Sequence, residues 1–317
     1  MTKTTGLTRS KEWRVITITC LTMKDDQEER LLGMSQSFPY SAVYGDLHDY
    51  VGGYVPWHWH EAIEIIYIVQ GAALFYVGDE RFPLGNGDAL FVNGNNLHML
   101  KPVSKSGHVV FHTLLFDASF ISGRYGSVFE QKYVTPISSC QNILGVKFQL
   151  GDSNHERMIG LLCDAYVLSE KESFGYEFKI RDLLSEAWLL VWEASKSKLI
   201  PGKVRNDQSA ERVKIMLNYI HGNYMKRIEL KDIAFSANVS ERECLRCFKR
   251  AISMSPFEYL THYRVRFAAG MLVHSDETVM NIGEAAGFSS SSYFGKKFRL
   301  LMGCTPREYR GKSSALP

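Results

Sequence analysis

The spacing of apolar residues divides the chain into a β-rich part followed by a helical part. Between about Ala42 and Phe120, short apolar and aromatic runs are separated by Gly, Asn and Asp residues. Turn signals at roughly eight- to twelve-residue intervals predict a sandwich or barrel of short strands. From about Asn154 the period becomes helical, and over 176–194 the apolar residues recur at three- and four-residue steps.

The last hundred or so residues contain an internal repeat of about fifty residues. An Ile-small-x-x-x-turn-apolar-Ser pattern occurs at 233–240 and again at 282–289, an offset of 49. Each copy predicts a short helix, a turn that needs a left-handed residue, and a second helix capped by a serine. The turn residues are Asn238 and Gly287, and the capping serines are Ser240 and Ser290.

Each repeat therefore predicts a helix-turn-helix, whose second helix fits the major groove of DNA. The segment between the repeats, Ser255–Ser275, is predicted to be helical and roughly 30 Å long, close to the roughly 34 Å between successive major-groove faces. Residues from Lys203 onward carry 19 Lys+Arg and 11 Asp+Glu, a balance of +8, whereas residues 1–202 carry 18 and 23, a balance of −5. The basic third of the chain is thus the part that attracts a polyanion.

The second repeat, Ile282-Gly-Glu-Ala-Ala-Gly-Phe-Ser through Gly303-Cys-Thr-Pro-Arg-Glu-Tyr-Arg310, closely resembles the signature of AraC/XylS-type transcription regulators. The resemblance covers about Ser209 to Arg310, with Gly283 where the family usually has Ala and Cys244 where it usually has Leu. In that family the second helix of each unit contacts the major groove. Carried over by position, the predicted DNA-binding residues are Arg242, Arg246, Lys249, Ser291, Ser292, Lys296 and Arg299.

A second group of polar residues lies in the β-rich part, at His58, His60, Glu64 and His98. In a strand, His58 and His60 point to the same face. Three imidazoles and one carboxylate that converge suit a divalent metal such as Mn, Fe, Ni or Zn. These four residues are therefore predicted to form one site.

The segment from Gly52 to Gly71 resembles the first cupin motif residue for residue, but the second motif is degraded. Gly87 and His98 are present, whereas the usual Pro, Gly and Asn are replaced, in order, by Asn93, Asn95 and Pro102. The region Ala42–Phe120 also resembles the sensor barrels of AraC-type regulators, which bind a sugar or another small effector. The sequence thus predicts effector binding at His58, His60, Glu64 and His98, and leaves open whether these residues hold a metal.

Composition excludes several other classes of protein. The chain is 45% hydrophobic and 22% charged, as in ordinary globular proteins, and contains no apolar run of the roughly 18 residues that a membrane helix needs. Its six cysteines are scattered and follow no secretory signal, which favours reduced thiols in a bacterial cytoplasm. Residues 1–35 show no clean periodicity, and translation starting at Met23 is a further expectation.

Two functions compete at this point. The first is a sequence-specific transcription regulator, more specifically an activator, whose action is modulated by a small molecule; its expected partners are double-stranded DNA, a small effector (a carbohydrate is one candidate), RNA polymerase and a second copy of the chain, with no membrane. The second is a cupin metalloenzyme carrying a DNA-binding appendage. No acid/base pair or nucleophile motif stands out, so we expect no enzyme activity.

The expected fold is multidomain: an all-β cupin-like barrel, a helical pair, and an all-α domain with two helix-turn-helix motifs. The apolar stripe of the second helix of the pair, which includes Leu184, Trp188 and Val191, is predicted to form a dimer. The predicted boundaries are an unstructured extension at 1–35, a barrel at 36–150, a helical dimerisation region at 151–199, a linker at 200–208 and a DNA-binding domain at 209–312.

Overall fold

The computed structural model of the chain describes residues 15–17, 31, 33–104, 107–199 and 208–313. Contacts divide the chain into two compact units, Met1–Asp207 and Gln208–Pro317. Met23 and most of the expected N-terminal extension lie outside the described residues.

The described strands of the first unit form two sheets. A six-stranded sheet has the order β1-β2-β9-β4-β7-β10, and a four-stranded sheet has the order β3-β8-β5-β6. Neighbours are antiparallel except β1 and β2, which are parallel. The strands are β1 (Val15–Thr17), β2 (Tyr40–Asp46), β3 (Val55–His58), β4 (Ile63–Gln70), β5 (Ala73–Val77), β6 (Glu80–Leu84), β7 (Ala89–Val92), β8 (His98–Pro102), β9 (Val110–Phe116) and β10 (Gly145–Phe148).

Two sequence predictions need correction here. The two sheets share no hydrogen-bonded strand pair within the described ranges, so the β-rich unit is a two-sheet sandwich and the predicted barrel is not closed. Residues 1–35 were expected to be unstructured, yet Val15–Thr17 pairs in parallel with β2. Turn signals predict that strands reverse, but they do not predict which strand ends the sheet.

The larger sheet is covered on both faces, and β4 shows why. Ile63 and Ile65 point to one face and belong to the core shared with two long helices. Ile66 and Ile68, which alternate with them, belong to the core shared with the smaller sheet. Period-2 alternation with apolar residues on both faces is what a strand buried on both sides requires. The helices of this unit are α1 (Ala118–Ser122), α2 (Thr135–Ser138), α3 (His155–Lys171) and α4 (Tyr176–Ser195).

The apolar stripe of α4 packs against the sheet of its own chain. Leu184, Trp188 and Val191 are at most 2% exposed and lie in the core that also contains β4 and β7. The Trp188 ring meets Phe91 edge-on at 5.6 Å, and its Nε1 donates to the carbonyl of Tyr133 at 3.0 Å. The residues predicted to hold a dimer together are therefore core residues.

The second unit is helical and contains both predicted helix-turn-helix motifs, α6–α7 and α9–α10. Asn238 (φ 52°) and Gly287 (φ 83°) adopt the left-handed conformation that each turn needs. Ser240 and Ser290 cap α7 and α10 by accepting a hydrogen bond from the backbone N–H three residues on, at 3.2 and 3.4 Å. The helices are α5 (Gln208–Asn223), α6 (Leu230–Ser236), α7 (Glu241–Ile252), α8 (Pro256–His274), α9 (Val279–Ala285), α10 (Ser291–Met302) and α11 (Pro306–Ser313).

The two departures from the family pattern both lie in the core of this unit. Cys244 is fully buried on α7. A Cβ at Gly283 would lie 2.8 Å from Cδ1 of Phe294, so this ring occupies the space that the usual Ala would need. The described cysteines form no disulfide, and no described helix is both long and apolar enough to cross a membrane.

Candidate functional site

The predicted DNA-binding residues all lie on the exposed faces of α7 and α10. A groove with a volume of about 790 Å³ runs beside α10. Its lining includes Ser292, Lys296 and Arg299 of α10 and Arg307 of α11. A capped helix with an exposed basic face suits insertion into the major groove. The exposed residues are Arg242, Arg246 and Lys249 on α7, and Ser291, Ser292, Lys296 and Arg299 on α10.

Glu243 is a residue of this surface that the sequence analysis missed. Its carboxylate accepts hydrogen bonds from Nε and Nη2 of Arg246, both at 2.7 Å, and from Nη1 of Arg212 on α5 at 3.1 Å. The hydrogen bond from Arg246 is the main reason why the pKa of Glu243 is lowered to about 2. The three-residue spacing of Glu243 and Arg246 predicts their pairing on a helix, but nothing local points to Arg212.

The second site lies between the two sheets and brings together all four residues predicted for it. His58 ends β3, His98 begins β8 and pairs with it, and His60 follows in the β3–β4 connection. Glu64 reaches the same point from β4 of the larger sheet. All four side chains are buried, and the ligand atoms of the three imidazoles lie within 4.8 Å of one another.

Backbone carbonyls fix the orientation of all three imidazoles. In each ring, Nδ1 lies 2.7–2.9 Å from a carbonyl oxygen two residues away, and the three carbonyls belong to Pro56, Ala62 and Asn96. A carbonyl only accepts, so Nδ1 carries the proton and a neutral ring keeps a lone pair on Nε2. Burial, followed by the other two imidazoles, lowers the pKa of His58 well below its usual value and keeps that ring neutral.

Glu64 adds a carboxylate to these lone pairs. Its Oε2 lies 3.2 Å from Nε2 of His98 and 3.7 Å from Nε2 of His60, while Oε1 accepts from Thr113 Oγ1 at 3.3 Å. Burial alone would raise the pKa of Glu64, but its interactions with the adjacent imidazoles of His60 and His98 outweigh burial and hold that pKa below its usual range. Within the described chain, Glu64 Oε2 and His98 Nε2 have no hydrogen-bond partner.

The space at these groups is small. The cavity has a volume of about 40 Å³, whereas pockets for organic ligands measure about 300–1,000 Å³ and a single water needs roughly 10–15 Å³ by a comparable measure. Phe75 stacks on His98 at 5.8 Å. Apart from the four predicted residues, the lining is Val43, Tyr50, Val55, Ile66, Phe75, Leu100, Phe111, Thr113 and Leu115.

Imidazole Nε2 atoms and a carboxylate that face one another form a set of donor atoms that a cation between them would satisfy. Three nitrogen donors and one oxygen donor suit Mn, Fe, Co, Ni or Zn ions, and Thr113 is positioned to orient the carboxylate. The residues present therefore fit a divalent transition-metal ion. The sequence predicted that these four residues share a site and left open whether they hold a metal, but it did not predict Thr113, whose position depends on how β9 pairs with β4.

Comparisons with known proteins identify two domains in the chain. Residues 42–187 match the model of the AraC-like ligand binding domain, and residues 233–312 match that of a helix-turn-helix domain. The chain thus belongs to the AraC family of transcription regulators, with a ligand-binding domain followed by a DNA-binding domain.

Individual proteins are similar to this chain over most of its length. The HTH-type transcriptional regulator YdeC of Bacillus subtilis (strain 168) is 30% identical over 284 residues, which are 87% of this chain and 93% of that protein. The HTH-type transcriptional activator RhaS of Klebsiella pneumoniae (strain 342) is 23% identical over 266 residues, 82% of this chain and 89% of that protein. The crystal structure of ToxT from Vibrio cholerae O395 covers 88% of this chain and 99% of its own at 12% identity, with a TM-score of 0.44.

Proposed function

We infer that the protein is a transcription activator whose affinity for DNA is controlled by a divalent transition-metal ion held by His58, His60, His98 and Glu64. The observation that carries this inference is the convergence of three imidazoles and a carboxylate on a cavity of about 40 Å³. That volume suits an ion with one or two waters. A carbohydrate, which was one expectation for the effector, requires the two sheets to move apart.

The position of the ligands supports a role in regulation. The imidazoles come from the smaller sheet and its connection to β4, whereas Glu64 belongs to the larger sheet, which also packs against α3 and α4. Ligands from both sheets that bind one ion hold the sheets at a fixed separation. An ion that binds one arrangement better than the other shifts the population of arrangements, and a tenfold change in DNA affinity needs about 1.4 kcal/mol of such coupling.

The lining of the cavity favours a regulator over a metalloenzyme. Beyond the four candidate ligands, the residues at the cavity are apolar except for the hydroxyl groups of Tyr50 and Thr113. A metalloenzyme that uses general acid–base catalysis needs an acid or base that faces the substrate, in addition to its metal ligands. The volume also leaves little space for a substrate.

Metal binding can be followed by tryptophan fluorescence. Trp57 and Trp59 lie beside the candidate ligands in sequence, and all five tryptophans of the chain fall within residues 1–202. We expect titration with Mn²⁺, Ni²⁺ or Zn²⁺ to change the fluorescence at a stoichiometry of one ion per chain. The double variant His60→Ala, Glu64→Ala should lose this response, while the control His108→Ala, which changes a half-exposed histidine of the same unit, should keep it.

The same titration contains the competing outcome. If sugars or organic acids change the fluorescence and metal ions do not, the effector is an organic molecule and not a metal ion. Elemental analysis of the purified protein provides an independent measure, and a wild-type chain that binds no metal under any condition contradicts the proposal.

The name of one relative supports the activator role, since RhaS is named as a transcriptional activator. RNA polymerase is the partner that we propose for this role. A homodimer stays a prediction, but its contacts must be sought outside the buried stripe of α4. Phe178 and Leu189 are 75% and 53% exposed on the other face of this helix. Light scattering of the wild type and of the double variant Phe178→Glu, Leu189→Glu measures whether this exposed face holds a dimer together.

A further inference from the structure

Arg264 lies where the two helix-turn-helix motifs of the C-terminal unit, Gln208–Pro317, meet. From α8, its Nε donates to the carbonyl of Tyr224 and its Nη2 donates to the carbonyl of Lys226, both at 2.8 Å. These two carbonyls belong to the loop that joins α5 to α6, which leads directly into the first helix-turn-helix. The side chain is half-buried, and burial lowers its pKa below the ordinary value for arginine.

The turn of the second helix-turn-helix contacts the same point. The guanidinium of Arg264 lies 5.9 Å from the centre of the Phe288 ring. A Cβ at Gly287 would lie 2.4 Å from the carbonyl oxygen of Tyr224 and 3.0 Å from Nε of Arg264. The turn of the second helix-turn-helix therefore packs on the α5–α6 loop, and Arg264 contacts both the turn and the loop.

Arginine suits this junction for a chemical reason. Its planar guanidinium presents several N–H groups in a fixed fork, so it can reach two carbonyls and lie near a ring at once. A lysine keeps the charge but has a single ammonium group, and a glutamine keeps neither the charge nor the fork. The contact therefore depends on the residue type as well as on its size.

The junction matters because α8 alone does not fix the two recognition helices. A helix of 19 residues is roughly 28 Å long and sets a distance. The rotation of α7 relative to α10 needs contacts away from the axis of α8, and the contacts of Arg264 with the loop and the turn provide them.

We propose that Arg264 is a positioning residue that locks the two helix-turn-helix units into one orientation and so fixes the separation of the two DNA sites that the protein binds together. The proposal rests on the proposed DNA-binding function. Binding of two linked units to correctly spaced sites exceeds binding of either unit by about 10²–10⁴-fold, and this gain is lost when the geometry forbids simultaneous contact. A rigid connection makes the gain depend sharply on spacing.

The test uses the full chain and a DNA site obtained by selection from random sequence. Variants of this site carry one base pair more or fewer between the two contacted boxes, which rotates one box by roughly 34–36° relative to the other. For the wild type, we expect one extra base pair to reduce affinity about tenfold or more. The affinity of Arg264→Gln for DNA with the original spacing should be about tenfold lower than that of the wild type. Across the spacing series, the affinity of this variant should change less than about threefold. Its affinity for DNA that contains a single box should equal that of the wild type.

Two further variants complete the design. Arg266→Gln removes the same charge from the same helix, but Arg266 lies over the Tyr263 ring instead, so it should keep the wild-type spacing profile. Arg264→Lys should fall between the wild type and Arg264→Gln, and it tests the proposal if the glutamine variant does not fold.

Three results separate the possible failures. An unchanged spacing profile in both Arg264 variants would overturn the proposal while leaving DNA binding intact. Equal losses on single-box and two-box DNA would also overturn it, because they indicate a general loss of structure. A wild-type chain that selects no DNA at all refutes the proposed function itself.

Discussion

The change Trp188→Ala tests whether the stripe of α4 belongs to the core or to a dimer interface. The indole is 2% exposed, packs on Phe91 and donates to the carbonyl of Tyr133. Removing a buried Trp side chain costs about 3–5 kcal/mol, and the lost hydrogen bond adds about 0.5–1.5 kcal/mol. The free energy of unfolding of this unit should therefore fall by about 4–6 kcal/mol, a large part of the roughly 5–15 kcal/mol typical of a domain.

For a unit of this size, that loss lowers the unfolding temperature by about 10–20 °C. Differential scanning calorimetry measures the shift, and light scattering measures the oligomeric state in parallel. Asp182→Ala is the matched control, because Asp182 lies on the same helix and is exposed. Its effect should stay within about 0.5 kcal/mol. A Trp188→Ala protein that unfolds like the wild type but changes from dimer to monomer would refute this assignment.

Three further predictions follow from the two sites and the helical core. Arg246→Ala and Lys296→Ala should each weaken specific DNA binding by about 1–3 kcal/mol if the side chain reads a base, measured by fluorescence anisotropy; binding equal to that of the wild type for both would remove α7 and α10 from the interface. Thr113→Val should weaken metal binding by about 10–100-fold, because Glu64 loses its hydrogen-bond donor, whereas Thr113→Ser should not; equal affinities in the fluorescence titration would contradict this. Burial lowers the pKa of His221 from 6.5 to about 3, so its contribution to stability is present above pH 6.5 and is lost as the pH falls toward 3; the hydrogen-exchange protection factors of α5 amides, corrected for the intrinsic exchange rate at each pH, should fall over that range, and a fall of the same size in His221→Gln would show that another group is responsible.

The DNA-binding unit was predicted almost entirely from sequence because local rules determine it. Asn238 and Gly287 report the left-handed turns, and Ser240 and Ser290 report the starts of the second helices. Each of these signals acts within a few residues, so no knowledge of long-range packing is needed. The contacts of Arg264 with the α5–α6 loop, by contrast, join residues about forty positions apart and leave no local pattern.

The first unit shows where such reasoning stops. The apolar stripe of α4 indicates which face of the helix is buried, but it does not identify the surface that covers this face. A second chain was expected there, whereas the larger sheet of the same chain covers the stripe. The spacing of His58, His60 and Glu64 predicted that they converge. The sequence did not predict the volume of the cavity beside these residues, about 40 Å³. This volume depends on how closely the two sheets approach each other, which is set by apolar residues from several strands.

Occupancy of the site formed by His58, His60, Glu64 and His98 is proposed to control DNA affinity. The most direct measurement is the affinity of the full chain for its selected DNA, by fluorescence anisotropy, after removal of metal with a chelator and after reloading with one ion per chain. We expect a difference of about tenfold or more between the two states, which corresponds to at least about 1.4 kcal/mol of coupling. The variant His60→Ala, Glu64→Ala should show one affinity in both conditions. Equal affinities of the stripped and loaded wild type, with metal bound in the second state, would show that the metal does not control DNA affinity.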